Sequence, residues 1–220
     1  MHRTPEPELM DTAEQAQSYA AADFVETDVR FAQMCLEAFA GSEVRHVADL
    51  GCGPGNIALQ IAALDTDLQI VGYDGAEAML AHGREQSVAS GLGERVRFER
   101  SFIPNPELPA QAFDAVISNS LLHHLHDPQG LWETIKHIAR PGAPVCIGDL
   151  RRPSTPQEAD RLTALYASDV PEILRLDFHA SLHAAFEVTE IEGQLEAAGI
   201  SGWSVTAVGD RHVYIMGRMP

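Results

Sequence analysis

The chain carries little positive charge. It has 15 lysines and arginines against 32 aspartates and glutamates, a formal net charge of −17 over 220 residues. A surface of that sign repels phosphate backbones and anionic headgroups, so neither nucleic acid nor a membrane surface is an expected partner. Cysteine is scarce. Cys35, Cys52 and Cys146 form no CxxC pair and no even-numbered set, which argues against a disulfide-held scaffold. No apolar run approaches the length of a membrane span. Residues 1–23 are acidic and lack a signal-peptide stretch, so a cytoplasmic location is expected. What is present is ordinary for a globular protein: 45% hydrophobic and 21% charged residues.

Strand-like and helix-like stretches alternate from residue 44 onward, a rhythm that predicts a parallel sheet with crossover helices. Short apolar runs predict strands over 44–50, 69–73, 95–99, 113–118 and 144–150. Helical spacing occupies 56–64, 76–90 and 129–140, with Gly91, Gly93 and Pro141-Gly142 as stop signals. Residues 154–185 break the rhythm, being helical in character with no strand among them, and 188–198 reads as a further helix. Two final runs, 203–208 and 213–218, flank Gly209-Asp210-Arg211-His212 and predict a terminal β-hairpin. The expected fold is α/β: a Rossmann-like, seven-stranded, mostly parallel sheet with a C-terminal antiparallel hairpin and helices on both faces. One domain is expected over residues 1–220, led by a helical segment over about 11–40.

The most informative stretch is Val47-Ala48-Asp49-Leu50-Gly51-Cys52-Gly53-Pro54-Gly55-Asn56. An apolar strand runs into three alternate glycines and then an amphipathic helix, where side chains would obstruct backbone approach to a ligand. A dinucleotide fingerprint places its third glycine one residue later, at Asn56, so the spacing disfavours a pyrophosphate-containing cofactor. One strand-helix-strand unit further on, Ile70-Val71-Gly72-Tyr73-Asp74-Gly75 ends a strand in an acid. A carboxylate there can accept hydrogen bonds from both ribose hydroxyls of an adenosine group. Taken alone, Asp74 is equally explained as a helix cap.

These motifs resemble those of the class I S-adenosylmethionine (SAM)-dependent methyltransferases, in particular their small-molecule branch, most clearly over residues 44–150. The resemblance implies that Asp49, Gly51, Cys52, Gly53 and Gly55 wrap the methionine part of SAM. It implies that Asp74, with Gly75 beside it, binds ribose and that Met79 packs on adenine. Phe113-Asp114-Ala115-Val116-Ile117-Ser118-Asn119 is similar to the fourth-strand motif, whose main chain near Asn119 touches the SAM amino group. One departure stands out: where the family carries Gly-Asp after strand three, this chain has Ser101-Phe102. Ser101 with main-chain groups, or Phe102 by apolar packing, would have to read adenine instead.

Leu121-Leu122-His123-His124-Leu125-His126-Asp127 follows strand four at the sheet edge where open α/β folds place ligands. The histidines lack i, i+4 spacing, and the sequence shows no second donor cluster, so no metal is expected. The resemblance makes His124 the candidate general base, or else a hydrogen-bonded wall residue, and places His123 at the substrate. It implies that Tyr19, Asp23 and Phe24 close over SAM, making 1–43 an N-terminal cover. Residues 154–185 are expected to cover the acceptor, with Tyr166 and Phe178 contacting it. Arg151 and Arg152 either clamp an anionic substrate or form surface ion pairs. Asp210-Arg211-His212 reads as a turn. The implied function is methyl transfer from SAM to a small molecule. A nicotinamide- or flavin-dependent oxidoreductase and a non-catalytic SAM-binding regulator are the alternatives.

Overall fold

A computed structural model of the chain describes residues 1–7, 9–21 and 25–220. Seven strands form one sheet: β1 (His46–Leu50), β2 (Gln69–Asp74), β3 (Val96–Arg100), β4 (Ala115–Asn119), β5 (Pro144–Leu150), β6 (Ser204–Val208) and β7 (His212–Arg218). Their order is β3-β2-β1-β4-β5-β7-β6. The first five strands are parallel; β7 runs antiparallel to β5, and β6 antiparallel to β7. This is the expected Rossmann-like sheet with its terminal hairpin. The chain moves outward from β1 to β2 and β3, then returns to place β4 on the other side of β1. The crevice beyond the carboxyl ends of β1 and β4 is therefore the topological switch point, the place where such sheets bind ligands.

The helices are α1 (Ala13–Ala21), α2 (Val25–Phe39), α3 (Asn56–Leu64), α4 (Glu77–Ala89), α5 (Gln129–Ile138), α6 (Pro156–Tyr166), α7 (Glu172–Ala184) and α8 (Val188–Ala197). Alternation along the strands sends Val47, Ile70, Ala115, Ile117 and Cys146 to one face, where they pack with Phe31 of α2, Ile61 of α3 and Leu80 of α4. Ala48, Leu50, Val116, Val145 and Ile147 take the opposite face, against Trp132 and Ile135 of α5 and Ile191 of α8. All seven residues of β5 are buried, since a strand covered on both faces has no solvent side.

Several boundaries differ from the sequence reading. Helix α5 stops at Ile138 because Ala139 enters a β-bridge with Phe113, and the Arg140 amide donates to the Phe113 carbonyl. The hairpin connection has three residues, because His212 already pairs with Val208 in the ladder. The helical stretch after β5 is two helices, which pack with Leu150 through Ala159, Leu162 and Leu182 in a small core of their own. Thr155 caps the first, its Oγ1 accepting from the Glu158 amide, and Pro156 opens it. No helix among the described residues is long and apolar enough to cross a membrane.

Candidate active site

The β1–α3 turn is held by the neighbouring strand: the amides of Gly51 and Cys52 both donate to the Tyr73 carbonyl, at 2.8 and 3.1 Å. Gly51 has φ +68°, and a Cβ there would lie 2.7 Å from Leu121. Gly55 has φ +82°, and a Cβ there would lie 2.2 Å from the Phe98 ring. Both glycines are thus required by protein packing as well as by backbone conformation. Gly53, also at positive φ, faces open space. The turn borders a cavity of about 1120 Å³, whose wall includes Gly51, Cys52, Gly53, Asp49, Asp74, Gly75, Met79, Ser101, Phe102, Asn119 and Tyr19. Gly55 is not part of that wall. Asp23 and Phe24, expected beside Tyr19, lie outside the described residues.

Asp74 ends β2 with both carboxylate oxygens oriented by main chain. Oδ2 accepts from the Gly53 amide and Oδ1 from the Ala76 amide, each at 2.8 Å. One carboxylate thus fixes the glycine turn and the entrance to α4, with lone pairs left for a ligand. Asp49 is 2% exposed, and its Oδ2 has no hydrogen-bond partner among the described residues. Burial, then the nearby Asp74 and Asp28, push its pKa well above the usual carboxylate range. Burial likewise raises Asp28 to about 6, despite a hydrogen bond with Asn56. This end of the cavity has an excess of carboxylates, an arrangement that suits a cationic ligand. SAM brings a sulfonium and an ammonium, so the residues present fit it.

Where the adenine was expected, the Asp74 carbonyl accepts from the Ser101 amide at 3.0 Å, while Ser101 Oγ accepts from Asn105. Phe102 is 54% exposed and flanks Gly75, where a Cβ would come within 2.9 Å of its ring. Met79 is buried with Ala16 and Ala76, against Met10 and Tyr19.

The histidine stretch forms a single 3₁₀ turn, Leu122–His124. His123 Nδ1 lies 2.5 Å from Asp149 Oδ1, and Asp149 Oδ2 accepts from the Leu122 amide at 2.7 Å. Burial opposes charging His123, but Asp149 and Glu6 outweigh it, so its pKa is raised. His124 is different: burial and the His123 charge lower its pKa to about 3. An imidazole so weakly basic is a poor proton acceptor near neutral pH, and its Nδ1 faces Glu6 Oε1 at 3.3 Å. The lowered pKa weighs against His124 as a general base near neutral pH. His123 and His124 both line the cavity.

The opposite end is built from distant segments. Tyr166 and Phe178 line it together with Leu174, Asp177 and the hairpin residues Asp210 and Arg211. The Tyr166 hydroxyl donates to Asp210, and the Arg211 guanidinium stacks 3.3 Å above the Tyr166 ring. Gln15 of α1 donates to Asp177 of α7, linking the two helices. Arg151 and Arg152 are not part of the wall. Arg152 is buried and donates to Glu187, Glu190 and the Ala185 carbonyl, while Arg151 reaches the carbonyls of Gly209 and Asp210. Arg152 does form ion pairs, with Glu187 and Glu190, but it is buried where surface pairs were expected. Sequence reasoning overlooked Glu6, Asp28 and Asp177 as site residues and favoured a turn role for Asp210. Asp149, leaving a strand at the ligand edge, did carry a local signal.

Residues 47–142 match the family model described as Methyltransferase domain. An uncharacterised methyltransferase of Schizosaccharomyces pombe is 25% identical over 169 residues, covering 73% of this chain and 55% of that protein. Trans-aconitate 2-methyltransferase of Variovorax paradoxus is 32% identical over 130 residues, covering 59% and 47%. The chain thus spans about half the length of these two relatives. The crystal structure of a putative SAM-dependent methyltransferase from Methanococcus maripaludis shares the fold, with a TM-score of 0.76 at 16% identity, covering 99% of this chain and 98% of that one. Through its Gly-rich turn, its strand-end Asp74 and the domain around them, the chain is similar to methyltransferases over residues 47–142, and it shares the fold of SAM-dependent methyltransferases over nearly its whole length.

Proposed function

We propose that the chain binds SAM at the Asp49–Asp74 end of the cavity and methylates a small organic acceptor held beneath α6, α7 and the β6–β7 connection. The observation that carries this reading is the continuity of the cavity. A single space of about 1120 Å³ runs from Asp74 and Ser101 to Tyr166, Phe178 and Asp210. That exceeds the roughly 300–1,000 Å³ usual for one drug-sized ligand, so two can meet inside it. The relative named for trans-aconitate supports an acceptor of modest size.

When bound, SAM supplies an electrophilic methyl on a sulfonium. That methyl would pass to an acceptor lone pair, with the S–CH₃ bonding pair left on sulfur. The protein's part is placement and water exclusion. Asp74, fixed by the Gly53 and Ala76 amides, orients the nucleoside end, and Asp49 and Asp28 offset positive charge. Tyr166 and Phe178 present aromatic surface to the acceptor, while Asp177, Ser181 and Asp210 offer polar contacts. A protein base is needed only where the acceptor atom is protonated at working pH.

Incubation with methyl-labelled SAM and a metabolite extract tests the reading, with calorimetry for SAM, S-adenosylhomocysteine and NAD alongside. A labelled small product and binding of the first two ligands but not NAD is expected. Label transferred only to macromolecules would refute the small acceptor. SAM binding without any labelled product would favour a regulator.

A further inference from the structure

Glu6, His123 and His124 each present a ligand atom, and these atoms all lie within 4.8 Å of one another. Glu6 Oε1 stands 3.5 Å from His123 Nε2 and 3.3 Å from His124 Nδ1. The Glu6 side chain is 9% exposed, and neither Glu6 Oε1 nor His124 Nδ1 has a hydrogen-bond partner among the described residues. The tautomers explain why. Asp149 engages His123 at Nδ1, which leaves a lone pair on Nε2 in the neutral ring. His124 hydrogen-bonds to the backbone of Pro7, which has only a carbonyl to offer, so His124 is the donor there. Since Nδ1 is without a partner, that donor is Nε2, and Nδ1 is the lone pair facing Glu6. Two imidazole nitrogens and a carboxylate oxygen thus converge in a buried place, and all three offer lone pairs when His123 is neutral and Glu6 ionised.

We propose that this triad is a divalent transition-metal site of the zinc type, with the fourth position opening into the cavity. Zinc bound by nitrogen and oxygen at 2.0–2.1 Å in a tetrahedron has ligand–ligand edges of about 3.3–3.4 Å, beside which the two observed separations stand. Two histidines and a glutamate are a recognised zinc donor set, and Asp149 holds His123 as an outer carboxylate holds a ligating imidazole. Ser181 hydrogen-bonds the Glu6 carboxyl group, and the chain that carries it is anchored. Arg3 donates to the His123 and Leu125 carbonyls, the Thr4 amide donates to the His183 carbonyl, and His126 hydrogen-bonds the Glu6 carbonyl. Because His123 and His124 line the cavity, a metal here would offer an open coordination position to water or to an oxygen donor of the acceptor. The absence of i, i+4 histidine spacing does not weigh against this site, because the third ligand comes from far upstream in the chain.

The binding claim is independent of the methyl-transfer reading and is tested without turnover. The full chain, carrying no affinity tag, is stripped with chelator and titrated with Zn²⁺, and with Co²⁺ as the coloured probe. Metal analysis should find about one equivalent per chain, and Co²⁺ should give the visible absorption of a tetrahedral site. Glu6→Gln and His124→Ala should each weaken binding at least tenfold, and Asp149→Asn by roughly 10–100-fold. Should a variant fail to fold, the wild type still decides, because Zn²⁺ must then raise its melting temperature in proportion to binding. A wild-type chain that takes up no Zn²⁺ or Co²⁺, or folded Glu6→Gln and His124→Ala variants that bind as tightly as wild type, would overturn the proposal. In the first case a proton shared between His123 and Glu6 occupies the place instead.

Discussion

The two ends of the cavity are made in different ways. The Asp49–Asp74 end comes from chain-neighbouring pieces: one strand, its glycine turn, the next strand and the helix it opens. Its shape is fixed by backbone, with main-chain amides seating Asp74 and main-chain carbonyls seating the turn. The Tyr166–Asp210 end is assembled from α7, the end of α6 and the β6–β7 connection, and it is held by side chains. A backbone-built site tolerates little change in the residues that shape it. A side-chain-built site can be altered piecemeal, which suits the end proposed to hold the acceptor.

The contrast can be broken most severely at Gly55. Gly55→Ala drives a methyl into the buried Phe98 ring at positive φ, and the expected destabilisation is about 2–5 kcal/mol with loss of SAM binding. Thermal melts and calorimetry would read both. Adding Phe98→Leu should restore part of the stability, and no recovery would place the strain elsewhere. Asp74→Ala comes next. It should weaken SAM by roughly 1.5–3 kcal/mol, the loss of a charged hydrogen-bonding partner, while the fold persists. Unchanged affinity by calorimetry would leave Asp74 as a helix cap alone.

Tyr166→Ala combined with Phe178→Ala should lower kcat/KM on the identified acceptor by about 1–2 kcal/mol, with SAM affinity close to wild type. If SAM affinity and melting temperature fall together, α6 and α7 are structural and the two ends are not separable. The smallest effect concerns pH. Burial lifts Asp28 from its ordinary 3.8 to about 6. The sign follows from a raised acid pKa: in that window the unfolded chain holds fewer protons, so ligand-free stability falls as pH rises from 3.8 to about 6. SAM affinity should move oppositely, rising as Asp28 ionises. Asp28→Asn should flatten both curves, and a SAM affinity curve that kept its slope would remove Asp28 from the site.

Legibility in the sequence followed the same division. β5 is found at 144–150 as expected, because a run apolar on both faces between a Pro-Gly stop and a polar exit has one interpretation. The glycine turn and Asp74 were legible because conformation and spacing are local properties. Ends set by tertiary pairing were not: α5 stops early because Ala139 is drawn into a bridge with Phe113, 26 residues before it in the chain. Glu6 and Asp28 were invisible for the same reason. Each is an ordinary acid in an acidic segment until another part of the chain folds against it. Arg152 shows the converse, since nothing in Arg151-Arg152 reveals that one member is enclosed by Glu187 and Glu190.

The crowd of carboxylates around Asp49 also bears on turnover. In the proposed reaction the cofactor arrives with a positive sulfur and leaves as a neutral thioether. Asp28, Asp49 and Asp74 attract the first more than the second, since the Coulomb gain ends when the methyl departs. The wall that concentrates fresh cofactor therefore loosens its hold on the spent form at the moment of transfer. In that reaction the charge of the site itself would weaken product inhibition.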